Sequence, residues 1–130
     1  AADDPRIVMT GFVQGEILEE LYSNAYFFVL PSDVEGMAIS LLEAMSYGNC
    51  CLVSDIEENL EAVEDKACRF KKGNVADLRD KLKELLEDEE KVACYRKESA
   101  DYVCKRFRWD DVTVRTLRLY QRREKNWRKK

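Results

Sequence analysis

The chain has 130 residues, 45% hydrophobic and 37% charged, with a formal net charge of −4. That length fits one domain or part of one, and so small a negative charge makes no case for nucleic acid as a partner. There is no histidine, which excludes a Ser-His-Asp triad, a Cys-His pair and any histidine-ligated metal within these residues.

In chain order, residues 1–6 are polar and read as a connector. Ile7, Val8, Met9 and Thr10 predict a short strand, closed by Gly11 and followed by a loop over Phe12, Val13, Gln14 and Gly15. Residues 16–24 predict a short helix with Ile17, Leu18 and Leu21 inward. The apolar run from Tyr26 to Leu30 has strand length and composition. Pro31 ends it, and Ser32, Asp33 and Gly36 make a polar loop. From about Ile39 the pattern turns helical, with Ile39, Leu42 and Met45 or Ser46 on one face, and Gly48 is a helix stop.

After Asn49, residues 50–54 form a third apolar strand. Its neighbours Cys50 and Cys51 face opposite sides and cannot chelate one ion together. Asp55 begins a second loop, and residues 57–63 predict a helix with Leu60 and Val63 inward. Residues 67–70 are a weak fourth strand. Lys71, Lys72 and Gly73 turn the chain, and Asn74 is placed to cap the next helix, with Asp77 near its positive end.

That helix carries the stripe Val75, Leu78, Leu82, Leu85 and Leu86. A further helix over residues 89–105 has Val92, Tyr95, Tyr102 and Val103 as its buried candidates. A break at residues 107–110 precedes a last helix, capped by Asp110, anchored by Trp109 and holding Val112, Leu117, Leu119 and Tyr120. Trp109 and Trp127 read as packing residues rather than sugar platforms.

Strands alternating with helices imply an α/β fold, a parallel sheet with helical crossovers. The five cysteines, Cys50, Cys51, Cys68, Cys94 and Cys104, are odd in number and lack CxxC spacing. They read as reduced thiols of a cytoplasmic protein, not as a disulfide framework or a zinc site. No apolar run reaches membrane-span length, and the first residues show no signal-peptide pattern.

Within this frame one stretch stands out. Residues 31–48, PSDVEGMAISLLEAMSYG, place Glu35 in a strand-to-helix loop and Glu43 inside the helix, with seven residues between them. In an open α/β sheet, ligands bind at that kind of junction. The first N–H groups of the helix, around Ile39, Ser40 and Leu41, have no intrahelical partner and suit a diphosphate. Gly36 lets a ligand approach the backbone. Glu35 is placed to accept hydrogen bonds from sugar hydroxyls, and Glu43 from ribose hydroxyls. Two acids at this spacing also occur by chance on a solvated helix, so the pair alone decides nothing.

The longer string EGMAISLLEAMSYG resembles the EX7E motif of retaining GT-B glycosyltransferases, the group 1 family (family 4). The resemblance extends from about Ile7 to Tyr120: Tyr22-Ser23-Asn24-Ala25 before a strand ending in Pro31-Ser32, a strand ending in Ser54-Asp55, a helix start from Asn74 to Leu78, and Phe107 to Asp110. It implies a Rossmann-like three-layer sheet of about four parallel strands with helices on both faces, part of a GT-B C-terminal domain.

It further implies a UDP- or GDP-sugar as donor, transfer to a hydroxyl acceptor with retention, and no metal or other cofactor. Glu35 would contact the transferred sugar as the catalytic carboxylate. Gly36, Met37 and Ala38 would line that sugar, Ser40 and Leu41 would offer N–H groups to the phosphates, Glu43 would hold the ribose, and Phe12 and Val13 would lie near the base. The sequence departs from the motif at Ala38, often Pro or Gly, and at residues 56–59, where many relatives carry Pro or Gly after the Ser-Asp pair.

The resemblance also frames residues 1–130 as a partial donor-binding domain, with the last helix and a basic tail over residues 110–130. Its first strands, the Gly-Arg and Lys cations that grip the diphosphate, and the N-terminal acceptor domain are expected outside these residues. Such a piece would be inactive by itself, and its sheet would pair differently or associate with a second copy.

Residues 115–130 hold eight Arg or Lys and one acid, Glu124. They are suited to peripheral contact with an anionic inner-membrane surface, though a solvated helix face is the plainer reading. Two alternatives remain open: a non-catalytic nucleotide-binding or regulatory α/β module, and a structural fragment that folds by self-association.

Overall fold

The computed structural model describes residues 4–127, and the side chains of residues 4–121. Three short apolar segments pair into a parallel sheet: β1 (Phe28–Leu30), β2 (Cys51–Ser54) and β3 (Cys68–Phe70), in the order β1-β2-β3. Val29 sits opposite Leu52 and Leu30 opposite Val53; on the other side of β2, Leu52 pairs with Cys68 and Ser54 with Phe70. Between and after the strands lie α1 (Glu16–Asn24), α2 (Ile39–Ser46), α3 (Glu57–Val63), α4 (Val75–Glu87), α5 (Glu89–Arg106) and α6 (Trp109–Trp127).

The period-two alternation of strand side chains divides the core. Cys51 and Val53 pack with Tyr22 of α1, with Leu41, Ala44 and Met45 of α2, with Ala62 and Val63 of α3, and with Val103 of α5. Cys50, Leu52, Cys68 and Phe70 pack with Leu85 of α4 and Val92 of α5, and Leu78, Leu82 and Tyr95 close the edge. The central strand β2 is therefore buried on both faces. Helices cover both sides of the sheet, as the resemblance implies.

Helix boundaries follow local chemistry. The C-terminus of α2 is a Schellman turn: Gly48 N–H donates to Met45 O (2.9 Å) and Asn49 N–H to Ala44 O (3.2 Å), with Gly48 at φ 74°. Asn74 caps α4, its Oδ1 accepting from Asp77 N–H at 3.0 Å. Asp88 does the same for α5 through Lys91 N–H at 2.9 Å.

Several expectations fail. Residues 7–10 form no strand, so the sheet has three strands among the described residues; Val8 is 77% and Met9 89% exposed. Three apolar residues and a threonine without a neighbouring strand do not hold a strand. On α1 the buried face runs through Leu18 and Tyr22, four residues apart, and leaves Ile17 and Leu21 exposed. On α2 it runs through Leu41, Ala44 and Met45, and Ile39 is exposed. On α4, Val75 and Leu86 fall outside the stripe that Leu78, Leu82 and Leu85 make.

The last helix is capped two residues earlier than expected. Arg108 O accepts from the N–H groups of Asp111 and Val112, so Arg108 is the cap and Asp110 lies in the first turn. Trp109 does not anchor it, being 82% exposed. Val112, Leu117, Leu119 and Tyr120 are exposed as well. Amphipathic periodicity supplied an apolar stripe that nothing among the described residues covers. The side chains from Arg122 onward, those of Trp127 and most of the basic run, lie outside the described ones.

Candidate functional site

The parallel strands all end at one rim. There β1 gives way to the loop over residues 31–38, β2 to Asp55 and Ile56, and β3 to the turn at Lys71 and Lys72. Carboxyl ends of parallel strands are where an open α/β sheet presents loops and helix N-termini to a ligand.

The first loop holds Glu35, half-buried, with its Oε1 accepting from Ser32 Oγ at 2.5 Å. Gly36 and Met37 follow at the surface, and Ala38 is buried as the residue that starts α2. No side chain caps that helix. The N–H groups of Leu41 and Leu42 both turn back to Ala38 O, at 3.0 and 3.2 Å. Leu41 is fully buried and its N–H is committed, which takes it out of the set of free donors the sequence pattern suggests. Ile39 and Ser40 N–H have no acceptor among the described hydrogen bonds. They stand at the positive end of α2, beside the loop that carries Glu35.

Glu43 lies one turn further along, exposed. The Tyr22 hydroxyl approaches both its Oε2 (3.4 Å) and Ser40 O (3.3 Å), long contacts between which one proton is shared. Burial first, and then the charge of Glu43, push the Tyr22 phenol above its ordinary value, so it stays a protonated donor. The ring of Tyr22 stacks on Tyr47, with centroids 5.5 Å apart, and tilts against Phe28. Asn49 fixes the same corner from below: its Nδ2 donates to Tyr22 O (2.8 Å) and Ala44 O (3.0 Å), tying the end of α1 to α2.

The three rim segments are tied to one another. Ser54 Oγ donates to Ser32 O at 2.5 Å, and Asn59 Nδ2 donates to both Ser54 O and Ser54 Oγ. Asp55 N–H donates to Phe70 O at 2.9 Å, while the Asp55 carboxylate accepts from Lys72 N–H at 2.7 Å. The Lys72 ammonium donates to Asp33 O at 2.6 Å, which sets a cation on the rim next to the Glu35 loop.

The thiols play no part here. Cys50, Cys51 and Cys68 are core residues, and burial raises all three, Cys50 to about 12. At neutral pH they are protonated and inert. Phe12 is 89% exposed and Val13 half-buried, in a segment without regular structure; no hydrogen bond among the described residues joins either to the rim.

Structure therefore groups Glu35, Gly36, Met37, Ala38, Ser40 and Glu43 around one helix start; Phe12 and Val13 have no hydrogen bond to it among the described residues. It adds Tyr22, Ser54, Asn59 and Lys72, which sequence reasoning gave no role. Two of these carried a signal. Ser54 is a hydroxyl ending an apolar strand, and Asn59 sits where the α3 face turns inward.

A family model described as "Glycosyl transferases group 1" matches residues 4–101. An N,N'-diacetylbacillosaminyl-diphospho-undecaprenol alpha-1,3-N-acetylgalactosaminyltransferase of Campylobacter jejuni is 37% identical over 111 residues, 82% of this chain. An O-antigen chain mannosyltransferase B of Escherichia coli is 30% identical over 113 residues, 85% of this chain. The aligned part spans only 29% of the length of each of these relatives. A sucrose-phosphate synthase of Thermosynechococcus elongatus superposes with a TM-score of 0.80 at 23% identity, over 90% of this chain and 30% of that one. The last likeness speaks to the fold, a partial Rossmann-like domain.

Proposed function

The chain belongs to the group 1 glycosyl transferases, and from that membership we propose that it is the donor-binding part of a retaining glycosyltransferase that moves a sugar from a nucleoside-diphosphate sugar to a hydroxyl acceptor. The observation that carries the reading is the grouping at the start of α2: two acids flanking backbone N–H groups that have no acceptor among the described residues.

Each group has a chemical task. The N–H groups of Ile39 and Ser40 donate to the diphosphate oxygens at the positive helix end. Glu43, one turn in, takes the ribose hydroxyls, with the neutral Tyr22 hydroxyl at its side. Glu35 lies where the sugar follows the phosphates, and Gly36 and Met37 leave the backbone open to it. As the bond from the anomeric carbon to the diphosphate breaks, positive charge develops on the sugar, and a fixed carboxylate nearby lowers the energy of that state. Glu35 and Glu43 thus form the EX7E pair of this proposal.

The remaining parts of a whole enzyme, the acceptor domain included, are proposed by analogy with relatives more than three times as long as the matched segment. Those relatives are named for an undecaprenol-linked sugar and an O-antigen chain. A lipid-linked glycan is accordingly the acceptor class we favour, with peripheral contact at a membrane surface. No helix among the described residues is long and apolar enough to cross a membrane.

The test is calorimetric titration of the chain with UDP, GDP, UDP-N-acetylglucosamine and GDP-mannose. One of the two nucleotide families binds, and Glu43→Ala weakens it about tenfold or more, the scale of losing hydrogen bonds to a charged group. If no nucleotide binds, or if Glu43→Ala binds as tightly as the parent, the donor-site reading fails.

A further inference from the structure

A polar thread runs from the core to Glu35. Asn59 is fully buried on α3, and Ser54 ends β2 at 1% exposure. Asn59 Nδ2 donates to Ser54 O (3.2 Å) and Ser54 Oγ (3.1 Å). With that lone pair filled, the Ser54 hydroxyl proton goes to Ser32 O (2.5 Å), and the Ser32 hydroxyl in turn donates to Glu35 Oε1 (2.5 Å). A carbonyl and a carboxylate only accept, so the direction of these bonds is fixed.

Both buried members are costly where they stand. The rest of β2 is Cys51, Leu52 and Val53, and the inward neighbours of Asn59 on α3 are Ala62 and Val63. Burying amide and hydroxyl groups in such surroundings costs free energy unless each is paired. Asn59 Oδ1 has no partner among the described residues. An alanine or a valine would suit the packing at Ser54. What the hydroxyl supplies instead is a grip on the backbone of the loop that carries Glu35, at the residue whose own side chain holds the carboxylate.

We infer that Ser54, oriented by Asn59, is a positioning residue: through Ser32 it holds the Glu35 carboxylate in one orientation at the rim. The role assigned to that orientation rests on the donor-site reading above, with the carboxylate set for the sugar and not for the nucleotide. Preorganised charge acts on a developing cation without having to reorganise, which is the physical reason to fix the carboxylate from within the core.

Two measurements on the full chain test this. The first needs no ligand: three-bond carbon couplings across the Glu35 side chain report whether it holds one rotamer. The parent chain shows a single rotamer, Ser54→Ala and Ser32→Ala show averaged couplings, and Ser32→Thr, which keeps the hydroxyl, restores the parent pattern. Averaged couplings already in the parent, or parent couplings kept in Ser54→Ala, overturn the inference. If Ser54→Ala fails to fold, Ser54→Cys, close in volume and a far weaker donor, takes its place with the same averaging expected.

The second is calorimetry with UDP against UDP-N-acetylglucosamine, and GDP against GDP-mannose. Ser54→Ala and Ser32→Ala lose about tenfold in affinity for the sugar nucleotide and less than about twofold for the bare diphosphate. A merely structural role would weaken both alike, and that result counts against the inference. Failure of every nucleotide to bind brings down the donor-site reading, while the couplings still decide whether the thread holds Glu35.

Discussion

Asn49 is the residue whose replacement tests the packing of the site most directly. It is 1% exposed, and its Nδ2 donates to Tyr22 O at 2.8 Å and Ala44 O at 3.0 Å. Tyr22 O belongs to the last turn of α1, whose carbonyls have no intrahelical donor. Ala44 O keeps a second donor, the Asn49 N–H at 3.2 Å, in any variant. Asn49→Ala therefore strands one buried carbonyl, at about 1–3 kcal/mol, partly offset because the unpartnered Asn49 Oδ1 disappears too. The net expectation is a loss of about 2 kcal/mol, or a fall of about 1 M in the urea midpoint at the slope usual for a small domain.

Asn49→Asp is the sharper perturbation. It puts a carboxylate where two carbonyls already point and removes both donors, so it destabilises well beyond the alanine variant. The assay is urea unfolding followed by circular dichroism, with amide exchange read along α1. Exchange should quicken first in α1, because Asn49 closes its end. A midpoint for Asn49→Ala within about 0.3 M of the parent, or an Asn49→Asp no worse than Asn49→Ala, would refute the reasoning.

Two further outcomes follow from charge and burial. Native chain treated with iodoacetamide at mild alkaline pH takes label at the exposed Cys94 and Cys104, while the buried Cys50, Cys51 and Cys68 react only in denaturant; peptide mass analysis showing native labelling of Cys50 would contradict its thiol being held at about 12. Glu84 lies between the ammonium groups of Lys81 (2.7 Å) and Lys91, whose hydrogen bonds lower its carboxyl to about 2 from an ordinary 4.5. The folded value is the lower one, so its stabilisation is whole above about pH 5 and is lost as pH falls toward 2. At 36% side-chain exposure it is worth about 1 kcal/mol or less. The stability gap between parent and Glu84→Gln should close on acidification, and a gap that widens would sink this account.

The sequence by itself determined the alternation of elements. The helices at residues 16–24 and 57–63 appear at the boundaries their patterns predict, because apolar periodicity is carried by residues three and four positions apart. The grouping of Glu35 with Glu43 was legible for the same reason: a loop and the helix it opens are contiguous. Neighbouring chain decided what periodicity could not. Residues 7–10 read as a strand, yet no partner strand among the described residues meets them, and the stripe of α6 is as apolar as a core face with nothing among those residues to cover it.

The hold on Glu35 was invisible for a further reason. Ser54 and Ser32 are 22 residues apart and meet only because parallel strands end at one rim. Asn59 faces inward because α3 packs on that edge. Local rules carry propensity and capping, but not which side chain of another segment a folded loop will meet.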